Sequence, residues 1–543
     1  MDLTHKQIVE RALALAAPSY TDRTNIVANV GATLASQYNE HALLQAETIV
    51  GTKNSTYLRE RWAKFTKDMY NGRQLPYLDR MDQEEMNDFL NRRGKQTVPF
   101  TSMVINAITA AYDSKTKRFP EAAEEEIAED YETWIKDNGI DGEIKESSRM
   151  LSLLGNGAIL LSWDELFQDI KYNWISAEYI RLVENPHNYN EPHAVVIRWQ
   201  VTDQDGATKE AATIYTKEEI IPMYDGQPDK TLIDQAVANG FEQSTMGYKN
   251  PYRIVINGVE TGFIPLVLCR YRKSYDGSWF CEGEGQSIAD FNAEINNYLS
   301  TIANSFYLQG FTPIMSVNYH DQHGKDAVPP WGPGAIINFT ISQAGQQAGI
   351  STVPLDSHIT ENTEYVKNLI NTQLSNRRIP ESLLHATADA SGVSIVASSA
   401  GMQEIREEEK LTWKPIESAI FRTFAVIYAY HNNKSTQNWE DLSLGIIWSE
   451  HAEKYTPEVA MQMAKEHLAL GIISEIDIVL EMMGDKFCFY DSEEDRRAAV
   501  LDYLATIKAE RKTIDALFER NKEAEPMDEE ADADSEYSDG ISV

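Results

Sequence analysis

Bases are scarce in this 543-residue chain: 49 Lys+Arg stand against 84 Asp+Glu, a formal net charge of −35. A broad cationic face that grips nucleic acid is therefore excluded, because neutralising phosphates needs clustered Lys and Arg. Passive, repulsive contact with DNA is not excluded. Cysteine is scarcer still. Cys269, Cys281 and Cys488 are the three present, at spacings that suit neither a disulfide framework nor a zinc site, and this points to a reducing compartment. No stretch approaches the ~18 to 20 apolar residues of a membrane span, and the N-terminal MDLTHKQIVERALALAAPSY intersperses charge with apolar residues at helical spacing. The expectation is a protein made and kept in the cytoplasm, or in an assembly built there, with no membrane contact.

Recognisable chemistry is missing too. The Gly-Lys pairs at Gly94 and Gly324 lack the upstream glycine and the following Ser/Thr of a phosphate loop. GEGQSI at Gly283 holds half of a dinucleotide fingerprint without a clear preceding strand, and reads as a helix-start turn. His320 and His323 sit in a loop beside Gly324 with no third ligand, so they read as solvated histidines. No nucleophile elbow, zincin or EF-hand pattern occurs. No catalytic residue, cofactor or metal is expected, and the chain reads as a non-enzyme. The enzyme alternative is an acidic carbohydrate-active hydrolase, since abundant Trp, Tyr and carboxylates could build a sugar cleft. The alternating strand-helix barrel common in that class is not visible. Trp163, Trp199 and Trp279, in or beside apparent strands, are expected to pack in cores.

What is present is a 42% hydrophobic chain long enough for two to four domains. Residues 42–67 and 100–117 alternate apolar and polar positions with a period near 3.6. Pro120 is expected to open an acidic helix, EAAEEEIAEDYETWIKDNG, whose seven acids from Glu121 to Glu132 suit a helix N-terminus and a solvated face. From Gly157 the runs AILLSWDE, AVVIRWQVT, AATIYT and YRIVING, separated by turn signals at Asp203 and Asn257, predict a β-rich block over 157–275. The fold class expected is α+β, mainly helical.

The region after Gln286 is the most patterned. Ile288, Phe291, Ile295, Tyr298, Ile302 and Phe306 recur at steps of three and four and stop at Gly310, while Asn292, Asn296, Ser300 and Asn304 form an opposite polar face. A Gly- and Pro-rich linker follows, with strands expected at 313–318 and 335–341. A second helix over 358–378 carries Ile359, Val366, Leu369, Ile370 and Leu374 and halts before Pro380. Beyond the small-residue loop HATADASG, a long helix over 393–431 is expected to bend at Pro415. Capping signals mark helices from Thr456 to Gly471, Ser474 to Gly484 and Asp491 to Asn521. The tail from Glu523, with nine acids and no base, reads as disordered.

In order, WAKFTKDMYNGRQLP, VPFTSMVINAITAAYDSK, GNGAILLSWDE, GEGQSIADFNAEINNYLSTIANSFYLQGFTPIM and SNRRIPESLLHATADASGVSIVASSAGMQEIREEEKLTWKPIESAIFRTF resemble segments of the portal (head-to-tail connector) proteins of tailed bacteriophages. TPEVAMQMAKEHLALGIIS is similar to their crown helices. The resemblance spans roughly residues 55–515. It implies a cyclic ring, usually of twelve subunits, at one vertex of the virion capsid, through which double-stranded DNA is packaged, retained and ejected. The implied parts are a wing (1–285), stem helices (286–310 and 358–378), a clip (311–357), a tunnel loop (379–392), a long helix and wing return (393–455), a crown (456–520) and a free acidic tail (521–543).

Implied partners are the terminase large subunit, head-tail adaptors, and the major capsid and scaffold proteins. The resemblance further implies DNA-channel positions at Arg377, Arg378, Ala388, Asp389 and Ser391. Stem packing would use Ile288, Phe291, Ile295, Ile302, Phe306, Val366, Leu369 and Ile370, and partner docking by the clip His320, His323, Lys325 and Trp331. For Arg377 and Arg378 the simpler role is to complement the negative end of a helix dipole. A polar helix face could line a bore, and twelve copies at −35 would repel the duplex and keep it from sticking. Another viral structural or scaffold protein is the remaining alternative.

Overall fold

In a computed structural model the chain falls into two units, 1–451 and 452–543. The structure describes residues 3–16, 40–50, 56–79, 95–113, 116–122, 124–188, 191–202, 206, 208–274, 278–309, 314–317, 349–352, 358–380, 392–448 and 493–522, and four single residues between 468 and 479.

The first unit begins with helices α1 (His5–Ala16), α2 (Glu40–Val50), α3 (Thr56–Tyr70) and α4 (Phe100–Ile108), then strand β1 (Thr116–Glu121). Helices α5 (Glu125–Asp137) and α6 (Ile140–Leu154) lead into strands β2 (Asn156–Asp164), β3 (Asp169–Ser176), β4 (Ile180–Val183), β5 (Ala194–Thr202), β6 (Thr208–Thr216), β7 (Glu219–Tyr224) and β8 (Gln227–Pro228). Helix α7 (Lys230–Ala238) and strands β9 (Tyr248–Lys249), β10 (Arg253–Ile256), β11 (Val259–Gly262) and β12 (Leu266–Arg270) complete the β-rich block. Then come α8 (Glu284–Gln309), β13 (Ile314–Val317), β14 (Gly349–Thr352), α9 (Ile359–Asn376), the 40-residue α10 (Gly392–His431) and β15 (Ser443–Trp448). The second unit contains α11 (Glu493–Lys522). The chain is a helix-and-strand mixture, 54% helical.

Among the described residues, all strand pairs are antiparallel. Strands β12, β2 and β3 form one sheet, and β4 to β8 form a second in sequence order, with β9 on β7. The central core packs α5, α6 and α10 on the three-stranded sheet, through Tyr131, Trp134, Ile159, Val267, Trp413 and Phe424. Helix α1 covers the larger sheet with Val9, Ala12 and Ala16. Burial of such stripes, rather than helix propensity, fixes these elements in place.

The structure corrects several expectations. The 42–67 periodicity resolves into α2 and α3, with 51–55 outside the described residues. The helix expected over 100–117 stops at Ile108, and Pro120 lies in β1, opposite Leu444 of β15, instead of opening a helix. β1 is paired here with β15 alone, so proline's missing donor is tolerated. The acidic helix starts later, at Glu125. The long helix expected over 393–431 is present as α10, with Pro415 inside it, whose ring leaves the Leu411 carbonyl without its helical donor. Both residues are exposed, so water can satisfy that carbonyl. The strand expected at 335–341 lies outside the described residues, and β13 pairs with β14. Trp279 is buried and Trp163 half-buried, as expected, but Trp199 is 38% exposed, in the outer half of β5 where it borders an open hollow with Tyr57, Glu60 and Lys64 of α3. Most of 456–484, and the tail from 523, lie outside the described residues.

Two glutamates of α10 are buried. Glu417 takes Arg118 from β1 in a two-pronged pair and the Tyr112 hydroxyl at 2.7 Å. Glu409 accepts from the Ser148 hydroxyl and from the Ala111 amide at 2.8 Å. Burial raises the Glu409 carboxyl to about 7, although both donors favour its ionised form.

Candidate functional site

The feature that sets this fold apart is the pair α8 and α9, which bracket residues 310–358. Glu284–Gln309 spans about 39 Å at 1.5 Å per residue, and Ile359–Asn376 about 27 Å. They run antiparallel: Ile288, near the start of α8, shares a core with Leu374 and Ile370, near the end of α9, while Tyr298 meets Tyr365 edge-on at 6.3 Å.

Helix α8 enters through a crossing made by glycines. Gly155 ends α6 with φ of +82°, and a Cβ there would lie 2.4 Å from the Cys281 carbonyl oxygen. A Cβ on Gly283 or Gly285 would strike the backbone of residues 153–155 at the same distance. GEGQSI is thus the close backbone approach that lets α8 cross α6.

The polar face of α8 is not solvent-facing. Asn292, Asn296 and Ser300 are buried, which overturns the expectation that they line a bore. Asn292 accepts from the Thr101 amide (3.0 Å) and hydroxyl (2.9 Å) and donates to the Val98 carbonyl (3.1 Å). Asn296 accepts from the Val98 amide (3.0 Å) and donates to Gln74 (2.7 Å), and Ser300 accepts from the Gln96 amide (3.0 Å). Residues 96–99 and the first turn of α4 have backbone amides with no helical or sheet partner, and the side chains of Asn292, Asn296 and Ser300 supply acceptors for them. The sequence signal was the four-residue spacing of the amide positions. It marks one helix face without saying whether water or backbone meets it.

The apolar stripe divides along its length. Ile288 and Ile295 are fully buried within the subunit, Phe291 packs edge-on against Phe100 at 5.4 Å, and Ile302 is half-buried. Farther out, Tyr298 is 44% and Phe306 57% exposed, and Tyr365 across from them is 55% exposed. On α9, Val366 and Leu374 are buried and Leu369 and Ile370 half-buried. Its outward face carries Glu361, Glu364, Asn368, Thr372 and Ser375, all exposed, a polar stripe less regular in the sequence than the Asn/Ser ladder of α8.

Arg377 bonds Gln373 at 2.6 Å and the Ser287 hydroxyl of α8 at 3.0 Å, so it fastens the two helices together. Arg378, at φ of +57°, pairs with Glu404 (2.9 Å) and Glu408 (3.3 Å) of α10. Ala388, Asp389, Ser391, His320, His323, Lys325 and Trp331 lie outside the described residues. Among the described residues, no cluster of three or more His, Cys, Asp or Glu could hold a metal, and no helix is long and apolar enough to cross a membrane.

No protein-family model and no curated protein matches the sequence. Among the solved structures with partial likeness are chains of two gene transfer agent assemblies. A chain from the virion of the native gene transfer agent (GTA) particle aligns over 78% of this chain and 93% of its own, at 10% identity and a TM-score of 0.34. A chain from the neck of the empty GTA particle aligns over 72% and 91%, at 13% identity and a TM-score of 0.35. Likenesses at this level establish neither a shared fold nor a shared activity.

Proposed function

We propose that this chain is the subunit of a portal-type ring, a non-enzymatic conduit for double-stranded DNA at one vertex of a phage-like capsid. The observation that carries this reading is the antiparallel pair α8 and α9, whose inner half is packed within the subunit and whose outer half keeps Tyr298, Phe306 and Tyr365 uncovered. Large aromatic side chains projecting from two adjacent helices need a neighbour, and cyclic repetition supplies one on each side. The order of segments resembling portal proteins supports the same reading. In it, 311–357 is the clip that docks the packaging motor and later the head-tail adaptors, and 379–392 the tunnel loop.

The bore-facing surface moves from α8 to the outward stripe of α9. Glu361 and Glu364 would set its sign near the insert, and Asn368, Thr372 and Ser375 would continue it with small neutral groups. Such a lining repels phosphate at short range and offers the duplex nothing to hold. Arg377 and Arg378 have carboxylate, amide and hydroxyl partners within the subunit, so in this reading they brace the stem against α8 and α10 instead of touching DNA. Negative-stain images of the purified full chain test the proposal. Face-on rings with a central hole are expected, and compact particles without one would refute it.

A further inference from the structure

The most exposed large apolar side chain among the described residues is Leu166, at 83%, and Phe167 beside it is 67% exposed. Both sit at the tip of the β2–β3 hairpin, whose register closes at Asp164 opposite Asp169. The turn is rigidly built. Asp164 accepts from the amides of Leu166 (2.9 Å) and Phe167 (3.3 Å), the Gln168 side chain donates to the Glu165 carbonyl (2.8 Å), and Gln168 holds φ of +51°. Lys171 stands 4.7 Å from the Phe167 ring, leaving the outer edge of the ring to solvent. A preformed knob of two apolar side chains beside a free acid, Glu165, binds with little ordering cost.

A complementary hollow lies at the other end of the same sheet. Leu153, Leu154 and Asn156, where β2 begins, border a cavity of about 530 Å³ walled by Leu58, Trp62 and Phe280. The nine residues of β2 put the two features roughly 26 Å apart at 3.3 Å per residue. The cavity's charged lining is mainly cationic: Arg59, Arg272 and Lys273 against Glu282. Arg272 is already paired with Glu284 at 2.7 Å. Arg59 is under-compensated. Its guanidinium stacks 3.4 Å over Phe280, Nη2 makes a long hydrogen bond (3.4 Å) to the Thr56 hydroxyl, and among the described residues Nε and Nη1 have no hydrogen-bond partner. Burial, then the nearby Arg181 cation, lowers it to about 9 in spite of Glu60 and Glu184. In a chain of net charge −35, an apolar hollow with spare positive charge is a distinctive surface.

We infer that the Leu166–Phe167 knob of one subunit seats in the Arg59–Trp62–Phe280 hollow of the next, with Glu165 facing the cations of Arg59 and Lys273. The occupant is a second copy of this chain, because the chain itself carries both an acidic apolar knob and a cationic apolar hollow at opposite ends of one sheet. A head-to-tail contact of this kind closes into a ring when the rotation between copies closes. This inference rests on the ring reading and deepens it by naming a contact between neighbours.

Disulfide trapping on the full chain tests it. Because the free Cys281 also lines the hollow, the pair is placed in a Cys281→Ser background: with Leu166→Cys and Ser274→Cys together, mild oxidation should give a ladder of covalent multiples of 61.4 kDa on a non-reducing denaturing gel, while either single change in that background should stay at the level of Cys281→Ser alone. Leu166→Ser with Phe167→Ser should leave the melting temperature of the subunit in place and raise the protein concentration needed for half-assembly by about tenfold or more. Rings that form without a ladder, and with unchanged assembly of the serine variant, overturn the knob-in-hollow contact and leave the ring reading standing. A wild-type chain that never assembles overturns both.

Discussion

At the scale of single residues, the strongest leverage lies where burial and charge conflict. Glu409 holds its proton to about pH 7 in the folded chain, against 4.5 ordinarily. Between those values the folded state binds a proton that the unfolded state has lost, so stability falls as pH rises through that window. Urea unfolding at pH 5 and pH 8 should show wild type losing about 1 to 3 kcal/mol. Glu409→Gln, which can still bond Ser148 and the Ala111 amide, should flatten that dependence. Gly155 is constrained differently: Gly155→Ala meets the Cys281 carbonyl and an unfavourable φ together, and should cost at least about 2 kcal/mol in the same assay. Neither role was legible in the sequence. Periodicity places Glu409 on a helix but does not reveal that the helix buries it, and the residues around Gly155 do not announce the backbone of 281–283 that approaches it. Trp199 failed as a core residue for a related reason: strand periodicity assigns a face, not what covers it.

At the scale of elements, both flanking helices were legible within about two residues, because long amphipathic stripes with Gly and Pro stops are the clearest local signal. What surrounds them was not. The stretch from Phe100 kept a helical pattern past Ile108 although the chain had turned into β1, whose partner is more than 320 residues away in sequence. The polar ladder of α8 was misplaced because its partners, Gln74 and residues 96–101, lie about 200 residues upstream. Two variants separate the halves of α8. Asn292→Leu orphans the Thr101 amide and the Val98 carbonyl, so calorimetry should show a loss of about 3 kcal/mol and a lowered melting temperature. Tyr298→Ser with Phe306→Ser should leave the melting temperature nearly unchanged while abolishing assembly in sedimentation. A folded variant that assembles normally would show that the outer half of the pair is not an interface.

At the scale of the whole molecule, the net charge and the absence of phosphate-loop or nucleophile motifs pointed away from a DNA-gripping enzyme before any fold was known. Ring geometry cannot be read from one chain's periodicity, because closure depends on the rotation between copies. The central claim is that the exposed outer half of α8 and α9 exists to be covered by identical neighbours. Native mass spectrometry of the purified full chain tests it most directly. For twelve subunits, each 61.4 kDa, the account predicts a dominant species near 740 kDa, or another closed multiple if the ring has a different count. A spectrum holding only the 61.4 kDa chain, at concentrations where the protein is folded, would contradict it.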